Sequence, residues 1–169
     1  MRFLPVTAGA LLVELPDLPR TLALLRALQA GPPEGVTEVI PAARTLLIHY
    51  EPWRLDDAQL AAAVAAIAQQ AESAAQSAAE SGAPPEEAAG ALVHIPVRYD
   101  GEDLAEVAAH LGLSAAQVIA RHTAQPWQVA FAGFAPGFAY LSGGDAVFDV
   151  PRRASPRTRI PPGAVALAG

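Results

Sequence analysis

The sequence contains neither cysteine nor lysine among its 169 residues, and each absence removes a class of chemistry. Without cysteine the chain has no thiol nucleophile, no disulfide and no cysteine-ligated zinc, which fits a reducing compartment. Without lysine it has no P-loop lysine and no Schiff-base lysine. All eleven basic side chains are therefore arginine.

The chain also lacks an excess of basic residues and any long apolar run. The net charge is −6 and the pI is about 5.1, which argues against general binding to nucleic acid or membrane surfaces. No apolar run reaches the roughly 18 residues of a spanning helix, and the first residues lack the regions of a signal peptide. We therefore expect a soluble cytoplasmic protein with neither nucleic-acid nor membrane partners.

The first half of the chain reads as an α+β domain. A hydrophobic content of 52% can furnish a core, and 169 residues allow one ordinary domain or two small ones. Asp17 and Asp56 can cap helices, the first ending at Gly31. The predicted strands cover residues 2–6, 10–15, 36–41, 45–50 and 91–97. This order predicts a ferredoxin-like split βαβ layer.

Residues 73–89 are rich in alanine, serine and glutamate and contain breaks at Gly82 and Pro84-Pro85, where we expect the helix to fray into a linker. The domain boundary is placed near residue 88. The first domain is then 1–88 and the second 89–169. A third helix is expected from Asp100 through His110, and a fourth opens at Ser114, which forms a capping box with Gln117. The pair resembles a helix-turn-helix, but its second helix carries only Arg121 as a cation, so a packing hairpin is the better interpretation.

An aromatic bend is predicted over 129–141. Four of the ten aromatic residues lie within ten positions here, interleaved with Gly133, Pro136 and Gly137. The glycines let backbone approach a neighbour closely. We expect the aromatic side chains to wall a pocket.

A basic, proline-rich run follows at 151–163. Its arginines are Arg152, Arg153, Arg157 and Arg159. A stiff backbone lets guanidinium groups grip a carboxylate or phosphate with less loss of freedom. A solvated basic loop is the alternative. The candidate acids of this half are Glu102, Asp103, Asp145 and Asp149. The first two are assigned instead to the start of the third helix, where negative charge meets the helix dipole.

The four histidines show no ligand spacing, so no metal site is expected. His122 stands apart because it directly precedes the strand that leads into the aromatic bend, where an imidazole could exchange a proton with a ligand. The residues alone indicate a pocket for a small anion, and they do not identify a reaction.

Several short runs occur in the same order as in one known family. They are IPVRYDGEDL at 95–104, GLS at 112–114, VIARH at 118–122, GFAPGFAYL at 133–141, PRR at 151–153, PR at 156–157 and PGAVALAG at 162–169. The chain resembles the family of 5-oxoprolinase B subunits, also described as allophanate hydrolase subunit 1 or the KipI kinase inhibitor. The likeness is strong from residue 91 onward and only in layout before it.

The resemblance implies an α+β domain followed by a cyclophilin-like β-barrel of the carboxyltransferase type. It implies one member of a complex, inactive alone, that works with a homologous C subunit and with an A subunit to hydrolyse 5-oxoproline to L-glutamate, with ATP bound through the complex. Two alternatives come with it: an inhibitor of a sporulation histidine kinase that binds its dimerisation helices, and a carboxyl-transfer or allophanate-processing subunit.

Site residues follow from positions that match the family's motifs. Those expected to act in catalysis are His122, Tyr140, Arg153 and Arg157. Those expected to bind substrate are Phe134, Pro136, Gly137, Phe138, Arg152 and Pro156. Together they would line a cleft shared with the partner protein. Compared with the family, Trp127 replaces a common tyrosine and Ala164 a common serine, and the family's last barrel segments are absent, so we expect an incomplete barrel.

Overall fold

A computed structural model describes residues 1–80 and 91–167, and the chain divides into two compact units. The first unit comprises Met1–Gly90 with Val129–Tyr140. The second comprises Ala91–Gln128 with Leu141–Gly169. Each is described below by itself.

The first unit is built on a four-stranded antiparallel sheet with two helices. Its elements are β1 (Arg2–Thr7), β2 (Ala10–Glu14), α1 (Leu18–Ala30), β3 (Val36–Pro41), β4 (Thr45–Tyr50) and α2 (Asp57–Glu80). The strands lie in the order β1-β2-β4-β3, so two hairpins meet where β2 pairs with β4. The first hairpin turns at Gly9, whose φ is +84°.

The pairing register places the buried side chains of the two central strands opposite one another. Leu11 pairs with Ile48 and Val13 pairs with Leu46, and all four are 1% exposed or less. Alternate residues of a strand share one face, so these side chains form one apolar surface. The helices cover it with Leu24, Leu28, Leu60 and Val64. Burying each such side chain contributes about 1.5–3 kcal/mol.

The second unit contains two short helices, one end of each strand of a hairpin, and a 3₁₀ turn. Its elements are α3 (Leu104–His110), α4 (Ala115–His122), part of β5 (Trp127–Ala132), part of β6 (Ala139–Gly143) and a 3₁₀ turn (Ala146–Phe148). β5 and β6 form a separate two-stranded sheet. A small core gathers around Ala108, Val118 and Phe148.

The helix starts read from the sequence are confirmed by hydrogen bonds. The Asp17 carboxylate accepts from the backbone N–H of Arg20 at 2.9 Å. Asp56 and Gln59 exchange bonds of 2.8 and 3.0 Å, and Ser114 forms the reciprocal pair with Gln117. These side chains satisfy N–H groups that have no partner inside the helix. Helix α3 begins at Leu104, four residues later than Asp100.

The strand predicted over 91–97 is wrong. The segment is irregular and exposed, with Leu92, Val93 and Ile95 each about 70% accessible or more. A strand needs a neighbouring strand to bond its backbone groups, and sequence alternation does not supply one. The described sheet therefore ends at four strands.

The mixed α/β class with antiparallel sheets is confirmed, while the ferredoxin-like and cyclophilin-like arrangement stays a prediction. Helix α2 continues to Glu80, and the breaks expected at Gly82 and Pro84-Pro85 lie outside the described residues. The predicted boundary near 88 lies outside the described residues. None of the helices in 1–80 and 91–167 is long and apolar enough to cross a membrane.

Replacing Gly9 by alanine should destabilise the chain by about 2 kcal/mol or more, because a side chain at positive φ is strained. The added Cβ would also lie 2.8 Å from the carbonyl oxygen of Tyr50. Urea unfolding followed by circular dichroism measures the loss. Gly31→Ala is the matched control, since a Cβ there meets nothing within 4 Å and its φ is −152°. Equal midpoints for the two variants would contradict this account.

Candidate functional site

The bend between β5 and β6 displays its aromatic rings on the surface. The Phe138 N–H donates to the carbonyl of Ala135 across Pro136 and Gly137, and the Gly133 N–H donates to the carbonyl of Phe138. Gly137 has a φ of +76°, as the turn requires.

Phe134 is the notable residue of this bend. It has a φ of +70°, a conformation that costs a non-glycine residue energy, and it is 90% exposed. Its ring meets Phe138 edge-on at 5.4 Å, Phe138 lies 5.1 Å from Tyr140, and Tyr140 stacks on Phe131 at 4.4 Å. The bend thus carries a continuous ladder of rings on its surface.

His122 ends helix α4 inside an aromatic cluster of the second unit. Its Nδ1 lies 2.6 Å from the Tyr99 hydroxyl, and its ring centroid lies 4.9 Å from Trp127 and 5.7 Å from Phe148. The indole N–H of Trp127 donates to the His122 carbonyl at 2.9 Å. Burial lowers the pKa of His122 and raises that of Tyr99, so both groups are favoured in their neutral forms. Nδ1 is engaged by Tyr99, which leaves Nε2 as the imidazole nitrogen for a further partner.

The absence of a side chain at Gly144 leaves the space that the Trp127 ring occupies. Gly144 has a φ of +82°, and a Cβ there would lie 2.4 Å from the indole Cη2 atom. No side chain other than hydrogen fits against this ring.

A second group of side chains in the same unit, the acid–arginine cluster, consists of Glu102, Asp103, Arg153 and Arg157. Arg153 Nη1 donates to Asp103 Oδ1 at 2.8 Å, and Arg157 Nη2 donates to the same oxygen at 2.5 Å. Arg157 Nη1 donates to Glu102 Oε2 at 2.8 Å. Two guanidinium groups are thereby held side by side on one carboxylate oxygen.

The charges of the cluster reinforce one another. The hydrogen bond from Arg157, with the added charge of Arg153, lowers the pKa of Asp103. Asp103 and Glu102 in turn raise the pKa of Arg157. Asp103 therefore stays ionised well below neutral pH.

The helix start that the sequence assigns to Asp103 is confirmed, but its carboxylate has other partners. Asp103 does occupy the N-cap position of α3, but its side chain makes no capping bond. Its carboxylate turns to arginines 50 and 54 residues away. Arginine provides a bidentate, charged donor that competes well with a backbone N–H.

The predicted site residues divide between the two units. Phe134, Pro136, Gly137, Phe138 and Tyr140 belong to the first unit; His122, Arg152, Arg153, Pro156 and Arg157 belong to the second. Arg153 and Arg157 are brought together, while His122 lies among aromatic rings. That all ten line one cleft stays a prediction.

Several side chains around these groups are not assigned to the site by the sequence. Its pattern places Asp103 and Glu102 at a helix start, marks Trp127 only as a departure from the family, and does not single out Phe148. Opposite charges at 102–103 and at 151–163 can pair, but their separation of about 50 residues gives no local signal that they do. Over 1–80 and 91–167, no group of three or more histidine, aspartate or glutamate side chains is arranged to hold a metal ion.

Comparison with known proteins supports the resemblance. A family model described as carboxyltransferase domain, subdomain C and D, matches residues 1–169. The chain is similar to the 5-oxoprolinase B subunit of Escherichia coli O157:H7, at 46% identity over 81 residues, which are 46% of this chain and 37% of that protein. It is similar to the 5-oxoprolinase B subunit of Bacillus subtilis (strain 168), at 47% identity over 81 residues, 46% of this chain and 34% of that protein.

Among solved structures, the chain is similar to the crystal structure of TTHA0988. The TM-score is 0.63 at 36% identity, and the match covers 95% of this chain and 30% of that one. The matched part is thus little more than a third of each curated relative and less than a third of this solved chain.

Gly144→Ala should displace the Trp127 ring, because the new methyl group would overlap the indole. Tryptophan fluorescence in a Trp53→Phe background should shift to longer wavelength as the ring enters water. Gly143→Ala is the control: its φ of +98° imposes similar backbone strain, but its nearest non-local atom is 3.8 Å away. The same spectral shift in both variants would show that backbone strain, and not overlap with the ring, moves the indole.

Stability should fall as the pH drops below about 6.5, the ordinary pKa of histidine. His122 has a lowered pKa in the folded chain, so the unfolded chain binds a proton in this window that the folded chain does not. The contribution of neutral His122 is present above the window and lost below it. His122→Gln should remove this part of the pH dependence, while His110→Gln, at an exposed position, should keep it. An NMR titration midpoint for His122 at or above 6.5 would refute the expectation.

Proposed function

This chain belongs to the family of carboxyltransferase domains, subdomain C and D, and we propose that it is part of the B subunit of an ATP-dependent 5-oxoprolinase. The complex hydrolyses the lactam of 5-oxoproline to L-glutamate, and the B subunit is inactive without its partners. The observation that carries this proposal is the identity of 46% and 47% to two proteins named as B subunits of 5-oxoprolinase.

The acid–arginine cluster supports a carboxylate substrate. 5-Oxoproline carries one carboxylate on its ring, and lactam hydrolysis adds a second. A guanidinium group recognises such planar anions, and in the best geometry its fork makes two parallel hydrogen bonds to one carboxylate. Arg153 and Arg157 already bind carboxylates of their own chain at 2.8 and 2.5 Å, so their spacing suits this chemistry.

ATP is assigned to the complex and not to this chain alone. The sequence has no lysine, and the guanidinium groups of Arg153 and Arg157 are engaged by Glu102 and Asp103. The sequence therefore offers no P-loop lysine for a triphosphate. We assign the binding of ATP to the assembled complex.

The finer architecture belongs to the same proposal. A ferredoxin-like domain over 1–88 would precede a cyclophilin-like barrel that begins near 89. The four-stranded antiparallel sheet with its two helices supports the first part. The partners would be a homologous C subunit and an A subunit, and the complex would be cytoplasmic.

Carboxyl transfer is a second candidate, because the family itself is described as a carboxyltransferase domain. A paired-arginine site for a carboxylate suits this reaction as well. The substrate separates the candidates: ATP-dependent glutamate release from 5-oxoproline by the co-purified proteins of the complex supports the first, and turnover of a urea-derived substrate alone supports the second.

Arg157→Ala should abolish ATP-dependent glutamate release by the assembled complex, since it removes one of the two guanidinium groups proposed to hold the substrate. Arg98→Ala is the matched control, because Arg98 pairs only with Asp100 among the described residues and is 89% exposed. Turnover by the Arg157→Ala complex equal to that of the Arg98→Ala complex would rule out the role given to Arg157.

A further inference from the structure

The two carboxylates of the acid–arginine cluster differ in what they hold. Asp103 receives hydrogen bonds from both Arg153 and Arg157 on a single oxygen, and its side chain is 40% exposed. Glu102 contacts Arg157 alone, and its side chain is 84% exposed. One acid therefore ties the arginines together, while the other lies on the outside.

Asp103 fixes the spacing of the guanidinium groups. The arginines come from an irregular segment at 151–157, whose backbone has neither helical nor strand hydrogen bonds to hold it in place. Asp103 stands at the start of α3 and joins this segment to the helix through two ion pairs. Loss of its charge would remove the link between the two arginines and leave each with a more exposed acid, Arg157 with Glu102 and Arg153 with Glu106 at 3.7 Å.

Glu102 is the more exposed carboxylate partner of Arg157. It accepts from Arg157 Nη1, while the neighbouring Nη2 is held by Asp103. An ion pair as exposed as that of Glu102 is worth little, because water screens it and the long side chain must be ordered. A free carboxylate can replace it at low cost.

We propose that Asp103 is a positioning residue for Arg153 and Arg157, and that Glu102 is an internal stand-in that an incoming carboxylate ligand displaces from Arg157. This inference rests on the proposed function only in expecting 5-oxoproline as the ligand. The ligand class is a small carboxylate, because the group now seated on Arg157 is itself a planar carboxylate.

The test compares three substitutions in the full 169-residue chain, each removing one negative charge: Glu102→Gln, Asp103→Asn and Asp100→Asn. The probe is 5-oxoproline, titrated against isotope-labelled protein and followed by NMR of the arginine side chains. Circular dichroism shows that each variant is folded. Asp100→Asn is the control, because Asp100 pairs with Arg98 outside the cluster.

Substitution of the two neighbouring acids, Glu102 and Asp103, should change the affinity for 5-oxoproline in opposite directions. Glu102→Gln should tighten binding by roughly threefold, because the competing carboxylate is gone, and Asp103→Asn should weaken it by roughly threefold or more. Asp100→Asn should leave the affinity unchanged. A general electrostatic effect would instead tighten binding in all three variants, and that result would overturn the inference.

Other outcomes are equally decisive. If neither the unmodified chain nor Glu102→Gln binds 5-oxoproline, the stand-in role of Glu102 is refuted. If inorganic phosphate follows the same pattern with larger changes, the assignment to carboxylates is wrong. A complex that releases no glutamate, while the opposite shifts are observed, would contradict the proposed function and leave this inference standing for another carboxylate.

Discussion

A single carboxylate oxygen shared by two guanidinium groups organises the second unit's charged surface. Asp103 Oδ1 accepts from Arg153 and from Arg157, and so ties an irregular segment to the start of α3. Each ion pair is exposed and weak by itself. Because both pairs meet at one atom, neither arginine can move without disturbing the other, and the segment acquires a definite geometry that its backbone does not provide.

Packing plays the corresponding role around His122. The imidazole is surrounded by Tyr99, Trp127 and Phe148, and the indole in turn rests against the bare backbone of Gly144. Water is displaced from one side of the ring, which disfavours the charged form of the histidine and lowers its pKa. The aromatic cluster around His122 thus favours a neutral imidazole. The charged groups of the unit's candidate site are its arginines and their acidic partners.

The aromatic bend shows how local strain and exposure go together. Phe134 holds a positive φ that glycine would adopt more easily, and its ring lies almost wholly in solvent. The neighbouring Pro136 and Gly137 form a regular turn, so the strain is confined to one residue. Backbone strain and full exposure thus fall on the same residue.

The sequence alone determined the elements whose signals lie within a few residues of one another: the caps at Asp17, Asp56 and Ser114, the hairpin turn at Gly9, and the family that the motifs indicate. Tertiary structure decided the rest. The segment 91–97 has a strand-like pattern but no partner strand among the described residues, and the Trp127 ring packs against the bare backbone of Gly144. The Asp103 carboxylate, at the start of α3, pairs with arginines 50 and 54 residues away. Local hydrogen bonds depend on adjacent residues, whereas these pairings depend on which distant groups folding brings together.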